Sequence, residues 1–568
     1  MNGFFKNIIW ISAFVLVGLT LFLGLFIDLT GDAALYAAIS RQMVESGDWF
    51  NLKINGIPYD QKPHLLFWLS GVGITLFGNT NFAFKLFPVL AALSGIYFVY
   101  RLARLFYSEK SGRLAALITG TSQMFFLYLF DIHTDTVLQS GVTLACWQLA
   151  EYLKNRRSGN FIIGFLGIGL AMLTKGPIGA VIPFFFVFFW LLAAKDFKQL
   201  FHPKWLLGIF IVLGVVSPTL LHLWNSFGWE GIRFYFVDNN LGRVTGDVAG
   251  SNTDPFFYVY NLLWALSPWT ILILAALFFK IKSRMYLKLS DKPGFSLLSS
   301  VLVLFIVYSI SRGKAPNYLM LTIPLLVAVA AGTLANVFSE PFPFKRLHFY
   351  VLQKGEQKMD PPVLQKSFQQ QIKGMVLLHA FVLFVLFVLF LLSCLLLPEK
   401  KLFLLLILVA VTFFLLIIFF IVEPGSWARL IYTSVIFAGI FNLYLHLAVV
   451  PGLFRYQGAH QALEIYESTR SSGGLLKSLH LEEYALFYWP EAPVEDFSTW
   501  ENFYAFLEQE EPWVYTNQIG YNVVRELTSQ IDTVYVIPQR GMNEITLSFL
   551  LPSSRQSALK ENYLIKIR

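Results

Sequence analysis

The stretch GDAALYAAISRQMVESGDWFNLKINGIPYDQKPHLLFW, residues 31–68, decides how the rest of the chain is interpreted. It follows the first long apolar run and concentrates carboxylates, bases and aromatic side chains in a sequence that is otherwise strongly apolar. Hydrocarbon cannot solvate such groups, so the stretch must lie at a membrane surface or line a wet cavity. Its polar and aromatic members are Asp32, Arg41, Glu45, Asp48, Trp49, Lys53, Tyr59, Asp60, Lys62 and Trp68.

The composition indicates a membrane protein with many spans. Of 568 residues, 56% are hydrophobic and only 14% are charged, and the mean hydropathy is +0.60. Soluble proteins carry about 25% charged residues. The formal charge of +8 does not indicate a nucleic-acid partner, because the bases lie in short loops between apolar runs. Cys146 and Cys394 both fall inside apolar runs, which argues against disulfides and a cysteine-based metal site.

Thirteen apolar runs come close to the length of about 17–25 residues that crosses a bilayer. We predict spans at 8–28, 83–106, 114–130, 136–153, 161–174, 177–194, 205–223, 257–279, 295–311, 317–337, 374–397, 402–422 and 429–450. The short run 65–77 is interpreted as a re-entrant or interfacial continuation of the preceding loop. The sequence therefore predicts a polytopic α-helical membrane protein with about thirteen transmembrane helices.

Basic residues are concentrated in alternate loops, which the positive-inside rule assigns to the cytoplasm. This orientation places the N-terminus in the cytoplasm and the first outward loop, residues 29–64, on the opposite side. Because the predicted number of spans is odd, the C-terminal tail lies on that outward side as well.

The composition becomes soluble from about Pro451. We predict a transmembrane domain at 1–450 and a small extracytoplasmic α/β domain at 451–568. Within the latter, strands are expected in LLKSLHL, YALFYW, PWVYTN, DTVYVIP and ITLSFLL, and helices in HQALEIYEST and IGYNVVRELTSQ. The polar, basic segment 338–373 is interpreted as an interfacial connector.

Acids at the outward ends of predicted spans are candidate catalytic groups. Asp32 follows Gly31 at the end of the first span, where a carboxylate is ionised yet close to the bilayer. On spacing alone, a polar boundary residue or a helix cap is the favoured explanation. Asp131 and Asp135 flank His133 in FDIHTDTVLQ, and capping is again the alternative. If these loops converge, the carboxylates could act as a general base on a hydroxyl group.

Bases recur on the face where the positive-inside rule predicts few. Each could be a snorkelling base at a helix end, but together they suit a phosphate bound at the membrane interface. They are Lys62, Lys175, Arg233, Arg243, Arg312 and Lys314, with Tyr318 beside the last. The spacing of His64, His133 and His222 matches no zinc pattern. We therefore expect no cofactor and assign no metal ligand, while a divalent metal stays open.

The opening stretch, followed by LFGNTNFAFKLFPVLAAL (residues 76–93), resembles the start of the aminoarabinose-transferase-like branch of the glycosyltransferase C superfamily, which is related to the protein O-mannosyltransferases. Family motifs recur in order over about residues 8–340. These motifs are "GDW", "NG-PY", "KP", "LFG", Thr134-Asp135, "TKGP" at 174–177, a loop ending in Arg243, and Ser311 to Tyr318.

The resemblance implies a glycosyltransferase C fold in a bacterial inner membrane and inverting transfer of a sugar from a polyprenyl-phosphate donor. Asp32 would be the principal catalytic carboxylate and Asp135 the second acid. The carrier phosphate would bind Lys62, Arg243 and Tyr318, with Tyr59 nearby and with Lys175 and Lys314 in the same basic cavity. The acceptor would be a lipid, with lipid A the leading candidate, or an envelope glycan. We further expect contacts with membrane lipids, a monomer and no nucleic acid.

Two positions depart from the family pattern. Gln61 stands where relatives commonly have Glu, and FVDNNLGR (residues 236–243) lacks the histidines that tend to precede the loop arginine. Both changes remove candidate metal ligands and leave the sugar and the acceptor open.

Two other functions remain as alternatives. The first is a protein O-glycosyltransferase with a polypeptide acceptor. The second is a lipid or sugar transporter, which ranks lower because transporters carry charges at the midplane and repeated halves. Here the charges are concentrated in the outward loops, and the sequence shows no repeat.

Overall fold

A computed structural model describes residues 2–246, 252–282, 292–337, 374–388, 392, 428–470, 474–479, 481, 485–488, 495–496, 500–507, 511–541 and 546–568. The predicted connector 338–373 and the predicted span 402–422 lie outside the described residues, as does Cys394.

Most of the first 450 residues form helices. The first are α1 (Asn2–Gly24), α2 (Gly31–Ser46), α3 (Leu65–Phe77), α4 (Asn81–Phe106), α5 (Glu109–Gly120), α6 (Gln123–Phe130), α7 (Thr134–Asn155), α8 (Ser158–Lys175) and α9 (Ile178–Ala194). Those that follow are α10 (Phe197–Leu200), α11 (Lys204–Arg233), α12 (Asn239–Thr245), α13 (Phe257–Ala265), α14 (Thr270–Lys282), α15 (Lys292–Ile310), α16 (Ile323–Val337), α17 (Gly374–Val388) and α18 (Ala428–Tyr444). A short antiparallel hairpin, β1 (Lys53–Ile54) with β2 (Ile57–Pro58), separates α2 from α3.

Several of these helices are suited to crossing a bilayer. Within the described residues, five helical stretches are long and apolar enough, and the number rises to seven if each of two bent pairs counts as one span. The bent pairs are α5 with α6, at 53°, and α13 with α14, at 118°. The stretches are Asn81–Phe106, Ser158–Lys175, Phe197–Thr245, Lys292–Ile310 and Leu430–Phe454. The structure thus gives several apolar helices, and the number thirteen stays a prediction.

The stretch predicted as the first outward loop contains helix α2. Thr30 precedes the helix in an extended conformation, and Gly31 begins it with φ +55°, a conformation that favours glycine. Every residue from Ala33 to Ser40 is buried. Gly47 ends the helix in the left-handed conformation, and its N–H bonds to the carbonyl of Val44. Asp32 is therefore placed on the first turn of a packed helix and not on an open loop.

Helices α7 and α8 form a close antiparallel pair. A Cβ on Gly167 would lie 2.9 Å from the backbone nitrogen of Ala145, and one on Gly141 would lie 3.0 Å from that of Ala171. Small residues allow the two backbones to approach this closely, as is common between membrane helices. The packing brings the beginning of α7, with Asp135, next to the end of α8, with Lys175.

The C-terminal segment, residues 451–568, contains a five-stranded mixed sheet of order β4-β3-β5-β7-β6. Strand β3 runs parallel to both of its neighbours, β4 and β5, whereas β7 runs antiparallel to β5 and β6. The strands are β3 (Leu475–Leu479), β4 (Glu495–Asp496), β5 (Pro512–Asn517), β6 (Ile531–Gln539) and β7 (Lys560–Ile567). The helices of the chain's end are α19 (Val450–Phe454), α20 (Gly458–Thr469), α21 (Ala485–Tyr488), α22 (Trp500–Leu507), α23 (Gln518–Leu527) and α24 (Leu547–Leu550).

Two of the strand predictions for this segment were wrong. In YALFYW, residues 485–488 are the short helix α21, and in ITLSFLL, residues 547–550 are α24. Short apolar runs fit either structure, and Thr546 caps α24 by accepting the N–H of Phe549. The predictions in LLKSLHL, PWVYTN and DTVYVIP were confirmed as β3, β5 and β6, and both helices were confirmed as α20 and α23. Strand β7 was not predicted.

Candidate active site

The centre of the candidate site is a buried ion pair between the two helices described above. The Lys175 ammonium lies 2.7 and 2.6 Å from the two carboxylate oxygens of Asp135, and Asn317 donates to Oδ2 of the same carboxylate at 2.7 Å. Side-chain exposure is 14% for Lys175 and 3% for Asp135. The acid lies at a helix N-terminus and the base at a helix C-terminus, where both charges are favoured by the helix dipoles.

Tyr318 joins this pair to Arg243. The Lys175 ammonium lies 4.6 Å from the centre of the Tyr318 ring, a cation–π contact. The Arg243 guanidinium donates to the Tyr318 hydroxyl and, through Nε, to Oδ1 of Asn239 at 3.2 Å. Tyr318 and Asn317 both lie on a 3₁₀ turn, Pro316–Leu321, that follows α15.

The loop before that turn holds Arg243 through its backbone. The carbonyl of Arg243 accepts the Ser311 hydroxyl and the N–H of Gly313, both at 2.6 Å. The N–H of Arg312 donates to the carbonyl of Val244 at 3.2 Å. The predicted motif Ser311 to Tyr318 therefore fixes the arginine at its beginning and contacts its guanidinium at its end.

Lys62 approaches the same cluster from the loop after the β1–β2 hairpin. Burial lowers the pKa of Lys62, and the neighbouring charges of Lys175 and Arg243 lower it further, to about 8, although Asp32 and Asp135 act in the opposite direction. Of the charges that act on Lys62, those of Lys175 and Asp135 contact each other directly, and that of Arg243 contacts Tyr318. A lysine beside two other cations favours an anion as its partner.

Asp32 occupies the accessible edge of the cluster. Its carboxylate is exposed and accepts the hydroxyl of Tyr36, one turn further along α2, at 3.2 Å. Burial, then Tyr59 and the charges of Asp32 and Asp135, raises the pKa of Tyr36 well above its usual value. Tyr36 therefore stays a neutral hydrogen-bond donor to the carboxylate.

Tyr59 lies behind Lys62. It is buried, its ring meets that of Phe67 edge-on with centroids 5.8 Å apart, and its carbonyl lies 2.9 Å from Nε2 of His222. The ring Nδ1 and Nε2 of His64 lie 2.8 Å from the Thr219 hydroxyl and 2.9 Å from the carbonyl of Phe50. These two histidines hold the loop of Tyr59 against α11. Within the described residues, no three His, Cys, Asp or Glu side chains are grouped so that they could hold a metal ion.

Sequence reasoning underrated three members of this region. Asn317 and Tyr36 were not singled out, because an Asn in a loop and a Tyr in an apolar helix are common. His133 was considered only as a metal ligand, but its Nε2 lies 2.8 Å from Oδ2 of Asp131. Burial opposes protonation of His133, but that hydrogen bond and the nearby charges of Asp131, Asp135 and Asp32 outweigh it and raise the pKa of His133.

Two predicted bases have other partners. The Lys314 ammonium donates to the carbonyl of Asp254 at 2.6 Å and so ties two loops together. Arg233 forms a surface ion pair with Asp238 at 3.2 Å. The structure thus joins Asp135, Lys175, Tyr318 and Arg243 by direct contacts, and the charges of Lys62 and Asp32 interact with this group. Tyr59 acts on Tyr36, which donates to Asp32.

Comparison with known proteins agrees with this fold. Residues 61–222 match the family described as dolichyl-phosphate-mannose-protein mannosyltransferase. The whole chain superposes on the crystal structure of ArnT from Cupriavidus metallidurans bound to undecaprenyl phosphate, with a TM-score of 0.71 and 19% identity, over 100% of this chain and 98% of the other. The fold is therefore that of this crystal structure, and residues 61–222 resemble the protein mannosyltransferases.

The chain also resembles curated aminoarabinose transferases. It is 30% identical over 327 residues to the undecaprenyl phosphate-alpha-4-amino-4-deoxy-L-arabinose arabinosyl transferase of Edwardsiella ictaluri, covering 54% of this chain and 56% of the relative. Identity to the enzyme of the same name from Yersinia enterocolitica is 28% over 319 residues, covering 54% and 55%. The chain thus spans about half the length of these curated relatives.

Proposed function

We propose that this protein transfers a sugar from a polyprenyl-phosphate carrier to a lipid or envelope-glycan acceptor on the outer face of the bacterial inner membrane. The observation that carries the proposal is the series of contacts that joins Asp135, Lys175, Tyr318 and Arg243. The charges of Lys62 and Asp32 interact with this group. Such a cluster combines ligands for a phosphate with a base for a hydroxyl.

The charges are divided between two tasks. Lys175 is neutralised by Asp135, so this pair holds the site together and contributes little net charge. Lys62 and Arg243 supply the positive charge that a phosphate would meet. The donor is a phosphodiester with one negative charge, and the released carrier is a phosphomonoester with a charge of about −1.5 to −2 at neutral pH. Two cations therefore stabilise the leaving group more than the donor, which is what accelerates transfer.

In this proposal Asp32 acts on the acceptor. Its carboxylate is exposed and close enough to Lys62 to shift the pKa of that ammonium. In the proposed step the acceptor hydroxyl attacks the anomeric carbon and gives its proton to Asp32. The bond between that carbon and the phosphate oxygen breaks, and the oxygen leaves with the electron pair on the carrier. A single displacement of this kind inverts the anomeric centre.

The names of the relatives support an undecaprenyl-phosphate-linked aminoarabinose as the leading sugar donor. A lipid acceptor, with lipid A the leading candidate, is proposed from the resemblance of the sequence motifs. Gln61 and the sequence FVDNNLGR are the positions at which this chain departs from the family pattern. Gln61 donates to Oδ1 of Asp60 at 2.7 Å. The orientation with the N-terminus in the cytoplasm and residues 451–568 outside remains part of this proposal, as do a monomeric state and the lipid surroundings.

The proposal is tested with the purified protein in nanodiscs, a polyprenyl-phosphate sugar and a lipid extract as acceptor. Wild type should release carrier phosphate and yield a glycosylated lipid visible by mass spectrometry. The Asp32→Asn variant should lose the activity while keeping its thermal midpoint. Asp28→Asn is the matched control, since Asp28 is also exposed and lies four residues earlier. Undiminished turnover by Asp32→Asn would refute the assigned role.

The same assay separates the alternatives. A protein O-glycosyltransferase would label polypeptide and not lipid, and a transporter would move the donor without breaking it. Mass spectrometry of envelope lipids and proteins from cells with and without the chain identifies both sugar and acceptor.

A further inference from the structure

Helix α2, which carries Asp32, is held at its beginning by the C-terminal segment. Thr30 occupies the N-cap position, but its hydroxyl makes no bond to its own helix. It donates instead to Oε1 of Gln457 at 3.1 Å. One residue earlier, the carbonyl of Leu29 accepts Nε2 of His460 at 3.1 Å. The residues that lead into the catalytic turn therefore depend on contacts more than 400 residues away along the chain.

Gln457 is itself fastened to the sheet. Its Nε2 donates to the carbonyl of Arg540 at 2.7 Å, and the N–H of Arg540 donates to the carbonyl of Tyr456 at 2.8 Å. The N–H of Gly458 donates to Oε1 of Gln539, the last residue of β6. A continuous series of hydrogen bonds thus connects the five-stranded sheet to Thr30.

A second anchor lies further along α2. Nη1 of Arg41 donates to the carbonyl of Tyr488 at 2.7 Å, and Nδ2 of Asn79 reaches the same carbonyl at 3.3 Å. The Tyr488 side chain is fully buried, and its ring centroid lies 6.2 Å from that of Phe84. Helix α21 therefore packs on α2. The C-terminal segment thus contacts the chain before Asp32, at Leu29 and Thr30, and after it, at Arg41.

We propose that the C-terminal segment positions Asp32 for catalysis, with Gln457 and His460 as positioning residues that act through Thr30 and Leu29. The inference rests on the proposed function, which gives Asp32 its catalytic role. The first turn of a helix has few bonds of its own and opens readily. Asp32 is exposed and follows a glycine with φ +55°, so it needs an external support. Misplacement of a reacting group by 1 Å can cost about 100-fold in rate.

The test compares two variants of one residue. Thr30→Val keeps the shape of the side chain but cannot donate, whereas Thr30→Ser keeps the hydroxyl. Thr30→Val should lower kcat about ten-fold. The KM for the donor should change less than about two-fold, because the proposed phosphate ligands lie on other elements. Thr30→Ser should retain wild-type values. Thr469→Val is the matched control, since Thr469 is exposed at the end of α20.

Hydrogen–deuterium exchange tests the anchoring without any assay of sugar transfer. The amides of residues 34–37 should exchange about five-fold faster in Thr30→Val than in Thr30→Ser, which corresponds to the loss of one hydrogen bond. His460→Leu provides an independent variant if Thr30→Val does not fold. Unchanged exchange in both, or a Thr30→Val enzyme with the kcat of Thr30→Ser, would overturn the proposal. Should wild type transfer no sugar while exchange responds as expected, the proposed function fails and the anchoring stands.

Discussion

The Lys175 ammonium lies between the two carboxylate oxygens of Asp135, at 2.7 and 2.6 Å, and packs over the ring of Tyr318. Both partners of this ion pair are largely buried, so neither charge is compensated by water. The pair joins α7, α8 and the turn that carries Asn317 and Tyr318. The ion pair therefore stabilises the packing of these elements and also fixes the positions of side chains in the candidate site.

Removal of one partner of this pair should destabilise the protein. Asp135→Leu leaves a buried ammonium unpaired, and a change of this kind costs about 3–5 kcal/mol. The double variant Asp135→Leu/Lys175→Met removes both charges and should recover most of the thermal stability while remaining inactive. Thermal unfolding in detergent, read together with turnover, checks the result. A double variant as unstable as the single one would show that the pair does not act as a unit.

Donor binding should depend on the protonation of Lys62. Its pKa of about 8 means that it is charged at pH 7 and loses its proton as the pH rises through 8. A phosphate binds the ammonium form, so the KM for the donor should be flat below pH 7 and rise up to about ten-fold per pH unit above pH 8. Initial rates measured from pH 6 to pH 9.5 give this profile.

Lys62→Arg is the control for that profile. A guanidinium stays charged over the whole range because its pKa exceeds about 12. The variant should therefore bind the donor with a KM that is nearly independent of pH, even if the value itself is higher. The same rise in KM for wild type and Lys62→Arg would assign the titration to another group.

Tyr318→Phe should weaken donor binding more than it slows the chemical step. The change removes the hydroxyl that accepts from Arg243 but keeps the ring over Lys175. Without that partner, Arg243 loses part of its orientation, and the loss of one hydrogen bond to a charged group corresponds to about 1.5–3 kcal/mol. We expect the KM to rise about ten-fold, with kcat within about three-fold. Tyr308→Phe is the matched control, since Tyr308 lies on α15 and its ring centroid is 5.4 Å from that of Tyr318. A fall confined to kcat would contradict a role in binding.

The sequence predicted most of the residues that meet, because they stand near the outward ends of apolar runs. Two consecutive spans run in opposite directions, so the beginning of α7 and the end of α8 lie on the same side, and Asp135 and Lys175 fall on one face. Their actual contact required the small residues Gly141, Gly167 and Ala171, whose effect is visible only when both helices are packed.

Other features could not be deduced from local pattern. Helix α2 carries polar residues at both ends and lacks the length of a span, so its burial becomes clear only from the packing of α3 and α21 against it. Lys314 lies in a family motif, as Lys175 does. Its ammonium, however, donates to the carbonyl of Asp254, 60 residues earlier in the chain. A contact of this kind between distant segments leaves no trace in the spacing of residues.

Buried Lys85 offers a test of how the chain between α1 and Asp32 is held in place. Its ammonium donates to the carbonyls of Ile27 at 2.7 Å and Gly24 at 3.4 Å, where α1 ends and the chain turns towards Asp32. Lys85→Met leaves the Ile27 carbonyl without this donor in a buried setting, which should cost about 1–3 kcal/mol. Lys154→Met is the control, because Lys154 makes a similar bond to the carbonyl of Leu105 at 2.7 Å but is exposed. We expect Lys85→Met to lower the thermal midpoint by several degrees and Lys154→Met to leave it nearly unchanged. Equal shifts in the two variants would show that burial does not set the strength of these contacts.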